Sequence, residues 1–234
     1  MRVSTGVPGF DRLVEGGLLK NRLYVLSGPP GSGKTTFSAH FINQGVNEGE
    51  KCLYVSMHET RNELISDMSG FNFGFERAME SKRVGFLNVF DSDSRDLLIP
   101  REHGDYRSNV QNMTNRVVNF IRKHGIDRLV FDSTMLLRYF YSDDSRTFIQ
   151  FISSLKQADA TTLLVSEMTD PAAYSDEHYL AHGVVFFHNF LESGSMTRGV
   201  QVIKMRGTAI DCDIRQISFS DGGLRVHPDE KVES

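Results

Sequence analysis

Apolar positions along this chain come in short unbroken runs, separated by longer stretches where they recur at helical spacing. Residues 23–26, 52–57, 84–90, 127–132 and 161–166 read as buried strands. They are short, rich in Leu, Val, Phe and Tyr, and bounded by glycine or polar residues. Residues 35–46 carry Phe37, Phe41, Ile42 and Val46 near helical spacing, so a helix follows the first run. Thr60, with Glu63 three positions on, forms a capping box that predicts a second helix over 61–69. A third helix is predicted over 109–124, ended by Gly125, and a fourth from a cap at Asp143 or Asp144 to about residue 158. Strands alternating with helices predict an α/β fold, a mostly parallel central sheet with helices on both faces. From residue 184 the pattern changes. Residues 184–187, 200–204, 214–219 and 224–226 look like strands joined by short turns, which predicts an antiparallel β-meander appended to the parallel core. Residues 91–108 are polar, contain Pro100 and Gly104, and read as a long loop, while 228–234 read as a polar tail.

Composition narrows the class. A chain of 234 residues with 39% hydrophobic content can bury one large core, so a single domain over 1–234 is expected. No apolar run approaches the length of a membrane span, and the N-terminus has no basic-then-apolar leader. Cys52 and Cys212 lie far apart and read as reduced thiols, so a cytoplasmic protein is expected. A formal charge of −4 argues against an all-over nucleic-acid coat and leaves only a local basic groove open.

The segment Gly28-Pro29-Pro30-Gly31-Ser32-Gly33-Lys34-Thr35 fits G-x-x-x-x-G-K-[ST], the phosphate-binding loop of P-loop NTPases. It stands between a predicted strand and a predicted helix, as the chemistry requires. Glycines let the backbone turn its N–H groups around a phosphate, and the helix N-terminus adds partial positive charge. The candidate nucleotide-binding residues are Gly28, Pro30, Gly31, Ser32, Gly33, Lys34, Thr35 and Thr36. Lys34 is expected to reach the β- and γ-phosphates and the Thr35 hydroxyl to bind Mg²⁺. Asp132 ends a buried strand and is the candidate second metal group; its alternative reading is a loop aspartate capping a helix. Hydrolysis also needs a group that positions or deprotonates water. His58 and Glu59 follow the second strand and are candidates, Glu59 being equally readable as a capping acid and His58 as a placeholder or a pH-sensitive group. Ser166 and Glu167 end another strand and are read either as γ-phosphate sensors or as simple strand termination. Lys204 and Arg206 flank Met205, and strand alternation puts both cations on one face, suited to a phosphate or to a charged, protected sheet edge.

The lead-in Thr5-Gly6-Val7-Pro8-Gly9-Phe10-Asp11-Arg12-Leu13-Val14-Glu15-Gly16-Gly17-Leu18 resembles T-G-x-x-x-[FL]-D-x-x-x-x-G-G-[LI] of the RecA superfamily. Together with the 28–36 loop, Tyr54-Val55-Ser56, Phe131-Asp132-Ser133 and Lys204-Met205-Arg206-Gly207-Thr208, it makes the chain similar to the KaiC-type ATPases, which include many archaeal single-domain members. The resemblance covers about residues 4–227. It implies a RecA-type P-loop core binding ATP and Mg²⁺ at subunit boundaries, usually in a homo-hexameric ring. Lys204 and Arg206 match the K-x-R pair that reaches the neighbour's γ-phosphate. Two departures stand out. The family's pair of adjacent glutamates reads His58-Glu59 here, so either residue takes the catalytic role or hydrolysis is very slow. The segment that carries a Ser-Thr phosphorylation pair in clock members reads Glu177-His178-Tyr179-Leu180, so autophosphorylation of that kind is not expected.

Three functions of different classes follow. The first is a slow Mg-ATP-dependent ATPase with shared sites and a signalling or regulatory role, working with an unidentified protein partner. The second is a nucleotide-gated assembly module, which His58 favours. The third is a DNA-binding recombinase paralogue, for which the mixed-charge loop and Arg138-Tyr139-Phe140-Tyr141 are the only pointers.

Overall fold

The computed structural model describes residues 1–88, 106–135, 145–192 and 194–232. A two-stranded ribbon pairs β1 (Arg2–Val3) with β2 (Leu18–Leu19), enclosing a 3₁₀ turn at Phe10–Val14. The main chain then runs β3 (Leu23–Gly28), α1 (Lys34–Asn47), β4 (Cys52–Ser56), α2 (Arg61–Met68), α3 (Phe75–Glu80) and β5 (Val84–Asn88). It continues through α4 (Tyr106–His124), β6 (Arg128–Asp132), α5 (Ser145–Lys156), β7 (Thr161–Glu167) and α6 (Asp176–Leu180). The last strands are β8 (Gly183–Glu192), β9 (Ser195–Met205), β10 (Arg215–Ser220) and β11 (Gly223–Lys231).

Nine strands form one sheet in the order β11-β10-β9-β8-β3-β7-β6-β4-β5. From β8 to β5 every neighbouring pair is parallel, and from β8 to β11 every pair is antiparallel. The expected meander therefore extends the same sheet. The central strands are buried on both faces, which is why they read as continuous apolar runs. Alternation sorts their side chains. Tyr24, Leu26, Tyr54 and Val130 join Phe37, Phe41 and Ile42 of α1 on one face. Leu23, Val25, Leu53, Val55, Leu129 and Phe131 meet Val117 and Ile121 of α4 and Phe151, Ile152 and Leu155 of α5 on the other.

Local chemistry sets the boundaries. Thr60 Oγ1 accepts from the Glu63 N–H at 3.3 Å while Glu63 Oε2 accepts from the Thr60 N–H at 2.7 Å, the reciprocal box expected at the start of α2. Helix α4 begins at Tyr106, three residues earlier than its periodicity predicts. The remainder of the predicted loop, 91–105, the Arg138–Tyr141 cluster and the proposed caps at 143 and 144 lie outside the described residues. Helices α3 and α6 were not predicted, because six and five residues are too few to establish a period. Among the described residues no helix is long and apolar enough to cross a membrane.

Arg128 fastens the lead-in to this scaffold. Its side chain is fully buried, with Nη1 donating to Ser4 O at 2.7 Å and Phe41 O at 3.0 Å and with Glu48 and Glu50 paired to the other nitrogens. The guanidinium lies 4.7 Å from the centroid of Phe41. Gly45 makes room for it, since a Cβ there would come within 2.6 Å of Arg128 Cδ and 2.7 Å of Cys52 Sγ.

His40 of α1 is buried, stacked on Phe73 at 4.0 Å between ring centroids, and its Nε2 has no hydrogen-bond partner among the described residues. Burial lowers its pKa from the model-peptide 6.5 to about 4. The folded protein thus holds the ring neutral where the unfolded chain takes up a proton. Stability from this site is complete above about pH 6.5 and is lost as pH falls towards 4, by up to roughly 3 kcal/mol. Urea unfolding at pH 7 and pH 5 is expected to show this loss in the wild type and a markedly flatter dependence in His40→Leu; equal slopes would refute the assignment.

Candidate functional site

Strand β3 ends at Gly28 and α1 starts at Lys34, leaving a five-residue loop over the carboxyl edge of the sheet. Gly33 sits at φ 108°, and a Cβ there would meet Leu224 Cδ1 at 2.7 Å, so both conformation and space demand glycine. Gly31, at φ 71°, faces open space, so a ligand can approach its main chain closely. Helix α1 has no side-chain cap and no acidic residue in its first turn, so its leading N–H groups face the loop without a competing carboxylate. Ser32 Oγ is buried with no partner among the described residues, a hydroxyl left over for a bound group.

A cavity of about 270 Å³ opens here, lined by Lys34, Thr35, Thr36, His58, Asp132 and Glu167 with flanking residues of the loop. Lys34 Nζ donates to Gly28 O and Pro29 O, each at 2.8 Å, and burial lowers its pKa against the opposing pull of Glu167 and Asp132. Asp132 closes β6. Its Oδ2 accepts from Thr35 Oγ1 at 3.1 Å and from Tyr54 Oη at 2.8 Å. Burial raises the carboxyl pKa, partly offset by His58 and the two hydroxyl donors. A buried carboxylate beside a hydroxyl, under a phosphate loop, is an oxygen donor set suited to a hard divalent cation. No cluster of three or more His, Cys, Asp or Glu among the described residues would hold a metal alone, so phosphate oxygens and water must complete any coordination shell here.

His58 reaches the cavity and Glu59 does not. Glu59 Oε1 lies 3.4 Å from His58 Nε2, and this contact raises the imidazole pKa against the opposing effect of burial. Glu59 is anchored at its backbone, its N–H donating to Ser56 Oγ at 2.9 Å.

Lys204 and Arg206 are not at this cavity. β9 stops at Met205 and Arg206 lies in the following turn, so strand alternation does not reach it; its N–H donates to His182 O at 2.7 Å. Register places them at the far end of the sheet. Met205 pairs with Gly183, and Gly183 with Tyr24, four residues or roughly 13 Å before Gly28. Lys204 and Lys156 have pKa values lowered by burial first and then by neighbouring cations, among them Arg206. Burial, reinforced by Lys156 and Arg22, also lowers His182 to about 4. The far end is thus a cluster of mutually repelling cations.

Several contacts gave no local signal in the sequence. Tyr54 braces Asp132, Phe219 from β10 lines the cavity, and Asn189 and Arg198, facing one another on β8 and β9, donate to Pro30 O and Gly31 O at 3.3 Å each. All depend on strand pairings that only the folded sheet creates.

Comparison with known proteins agrees with this architecture. The family described as "ATPase: KaiC" matches residues 3–231. The circadian clock oscillator protein KaiC of Prochlorococcus marinus (strain MIT 9313) is 28% identical over 216 residues, covering 88% of this chain and 42% of that protein. The chain thus spans less than half the length of the clock relatives it matches. UPF0273 protein MK0039 of Methanopyrus kandleri is 29% identical, with 99% of this chain and 93% of that protein covered. The crystal structure of the KaiC-like protein PH0186 from Pyrococcus horikoshii OT3 superposes with a TM-score of 0.80 at 25% identity, covering 97% of this chain and 99% of that one. With a RecA-type sheet, a phosphate loop at its carboxyl edge and a family match across nearly its whole length, the chain belongs to the KaiC-type ATPase family.

Proposed function

We propose that the protein is a slow Mg-ATP-dependent ATPase that converts ATP and water to ADP and phosphate at sites shared between copies of the chain. The supporting observation is the Thr35–Asp132 pair, 3.1 Å apart, on the cavity that Lys34 also enters. In this reading the N–H groups of residues 31–36 surround the phosphates, and Lys34 exchanges its two carbonyl bonds for β- and γ-phosphate oxygens. Mg²⁺, held by Thr35 and Asp132, would neutralise charge on the same oxygens when bound. His58 orients the attacking water from the cavity wall, and Glu59 behind it holds the ring and favours its protonated form. Lys204 and Arg206 serve the γ-phosphate of a neighbouring copy, because roughly 13 Å of sheet separates them from their own loop. A closed assembly gives every site such a neighbour, and the family resemblance points to a ring. A regulatory use of ATP occupancy, with turnover incidental, is the second reading, and it rests on His58-Glu59 standing where the family resemblance implies two adjacent glutamates.

Lys34→Ala is expected to weaken ATP binding about a hundredfold and to abolish any ATP-dependent increase in solution mass. Unchanged affinity by titration would discard the site. Arg206→Ala is expected to leave ATP affinity nearly intact and lower phosphate release at least about tenfold; a large loss of affinity with normal turnover per bound ATP contradicts its role. In His58→Glu, phosphate release is expected to rise roughly tenfold or more. If it does not rise, the histidine is not what limits turnover.

A further inference from the structure

Directly beneath the phosphate loop, α6 grips two neighbouring strands with two consecutive side chains. Ser27 of β3 and Ser166 of β7 are register partners, one rung before Gly28 and Glu167. Glu177 Oε1 accepts from Ser166 Oγ at 3.0 Å, and His178 Nε2 lies 2.6 Å from Ser27 Oγ. All four residues are buried. The direction of the histidine bond follows from its other nitrogen. Nδ1 receives the Ser175 backbone N–H at 3.1 Å, and a backbone N–H can only donate. In the neutral ring Nε2 then carries the proton and donates to Ser27, the residue that precedes Gly28.

The main chain of the same residue faces the other way. His178 O and Tyr179 O accept from Lys204 Nζ at 2.9 and 3.0 Å. His178 therefore touches the loop-bearing strand with its ring and the Lys204 ammonium with its carbonyl. Serving a neighbour would require Lys204 to give up both carbonyl bonds, and the placement of α6 sets how readily it does so. Helix α6 also borders a cavity of about 590 Å³ whose lining includes Pro30 and Glu167, both shared with the phosphate cavity.

We propose that α6 couples the phosphate loop of one subunit to the Lys204 ammonium which that subunit offers to its neighbour, with His178 as the positioning residue. The proposal rests on Lys204 acting across a subunit contact. A displacement of Gly28 on phosphate binding passes to Ser27, through the imidazole to α6, and so to the two carbonyls that hold Lys204. Hydrolysis at adjacent sites then becomes sequentially linked through a route inside each subunit.

The test is a double-mutant cycle between Ser27→Ala and Lys204→Ala in the full chain, read on ATP turnover, ATP affinity and melting temperature. Lys204 reactivity is read alongside, as its rate of reductive methylation followed by mass spectrometry with and without Mg-ATP. Ser27→Ala is expected to lower turnover severalfold with affinity nearly unchanged, to lower the melting temperature by a few degrees because the buried His178 Nε2–H loses its acceptor, and to cost no further turnover once Lys204 is alanine. Mg-ATP is expected to change Lys204 labelling severalfold in the wild type and hardly at all in Ser27→Ala. If Lys204→Ala lowers turnover but the two effects multiply, or if labelling responds to ATP equally in both proteins, the coupling is wrong and the role of Lys204 stands. If Lys204→Ala leaves turnover unchanged, that role and the coupling both fall. Should Ser27→Ala not fold, His178→Gln breaks the same link and is read in the same way; the labelling arm needs no turnover.

Discussion

Parallel pairing in one register is the constraint on which everything else here depends. Ser56, Asp132, Val165 and Leu26 lie in a single row across β4, β6, β7 and β3, and all four strands run towards the same edge. Chain direction alone therefore delivers the buried Asp132 carboxylate, the glycine loop and the His58–Glu59 turn to one place, although they are far apart in sequence. A slip of one residue would reverse every side chain and point Asp132 into the opposite core. The apolar runs prevent such a slip, because both faces of these strands are packed.

Charge burial is the second organising theme, and it appears in two opposed forms. Arg128 is buried and fully answered, with two carboxylates, two carbonyls and an aromatic face around it. That is a structural cation. Lys34 and Asp132 are buried and only partly answered, each with its charged form disfavoured by burial. Such frustration is tolerated at sites that expect a charged ligand. The contrast separates architecture from chemistry more clearly than burial alone.

Much of this was legible in the sequence because it was local. The glycine loop, the capping box at Thr60–Glu63 and the strand ending in Asp132 each declare themselves within a few residues. Strand identities followed from apolar runs, although β8, β9 and β11 extend well beyond the apolar stretches that marked them. The extensions of β8 and β9 include exposed Leu191 and Met196 and follow from their antiparallel pairing rather than from burial. The far-end position of Lys204 and Arg206 could not be read from spacing, since it depends on β9 turning back beside β8. Tyr54, Phe219, Asn189 and Arg198 were illegible for the same reason. Helix α6 is illegible for a different reason: its five residues are too few to set a period, and they are held by the local Ser175–His178 bond and by contacts with Ser27 and Ser166.

The separation of the phosphate loop from the Lys204–Arg206 end has a consequence for symmetry. A contact that brings one copy's cations to another's loop joins unlike surfaces. In a head-to-tail stack of n copies such contacts complete n − 1 sites and always leave one loop without a donor and one donor without a loop. Closure removes both loose ends: a twofold pair achieves it when its two copies exchange the contact reciprocally, and a ring achieves it when the rotation between neighbours returns the last copy to the first.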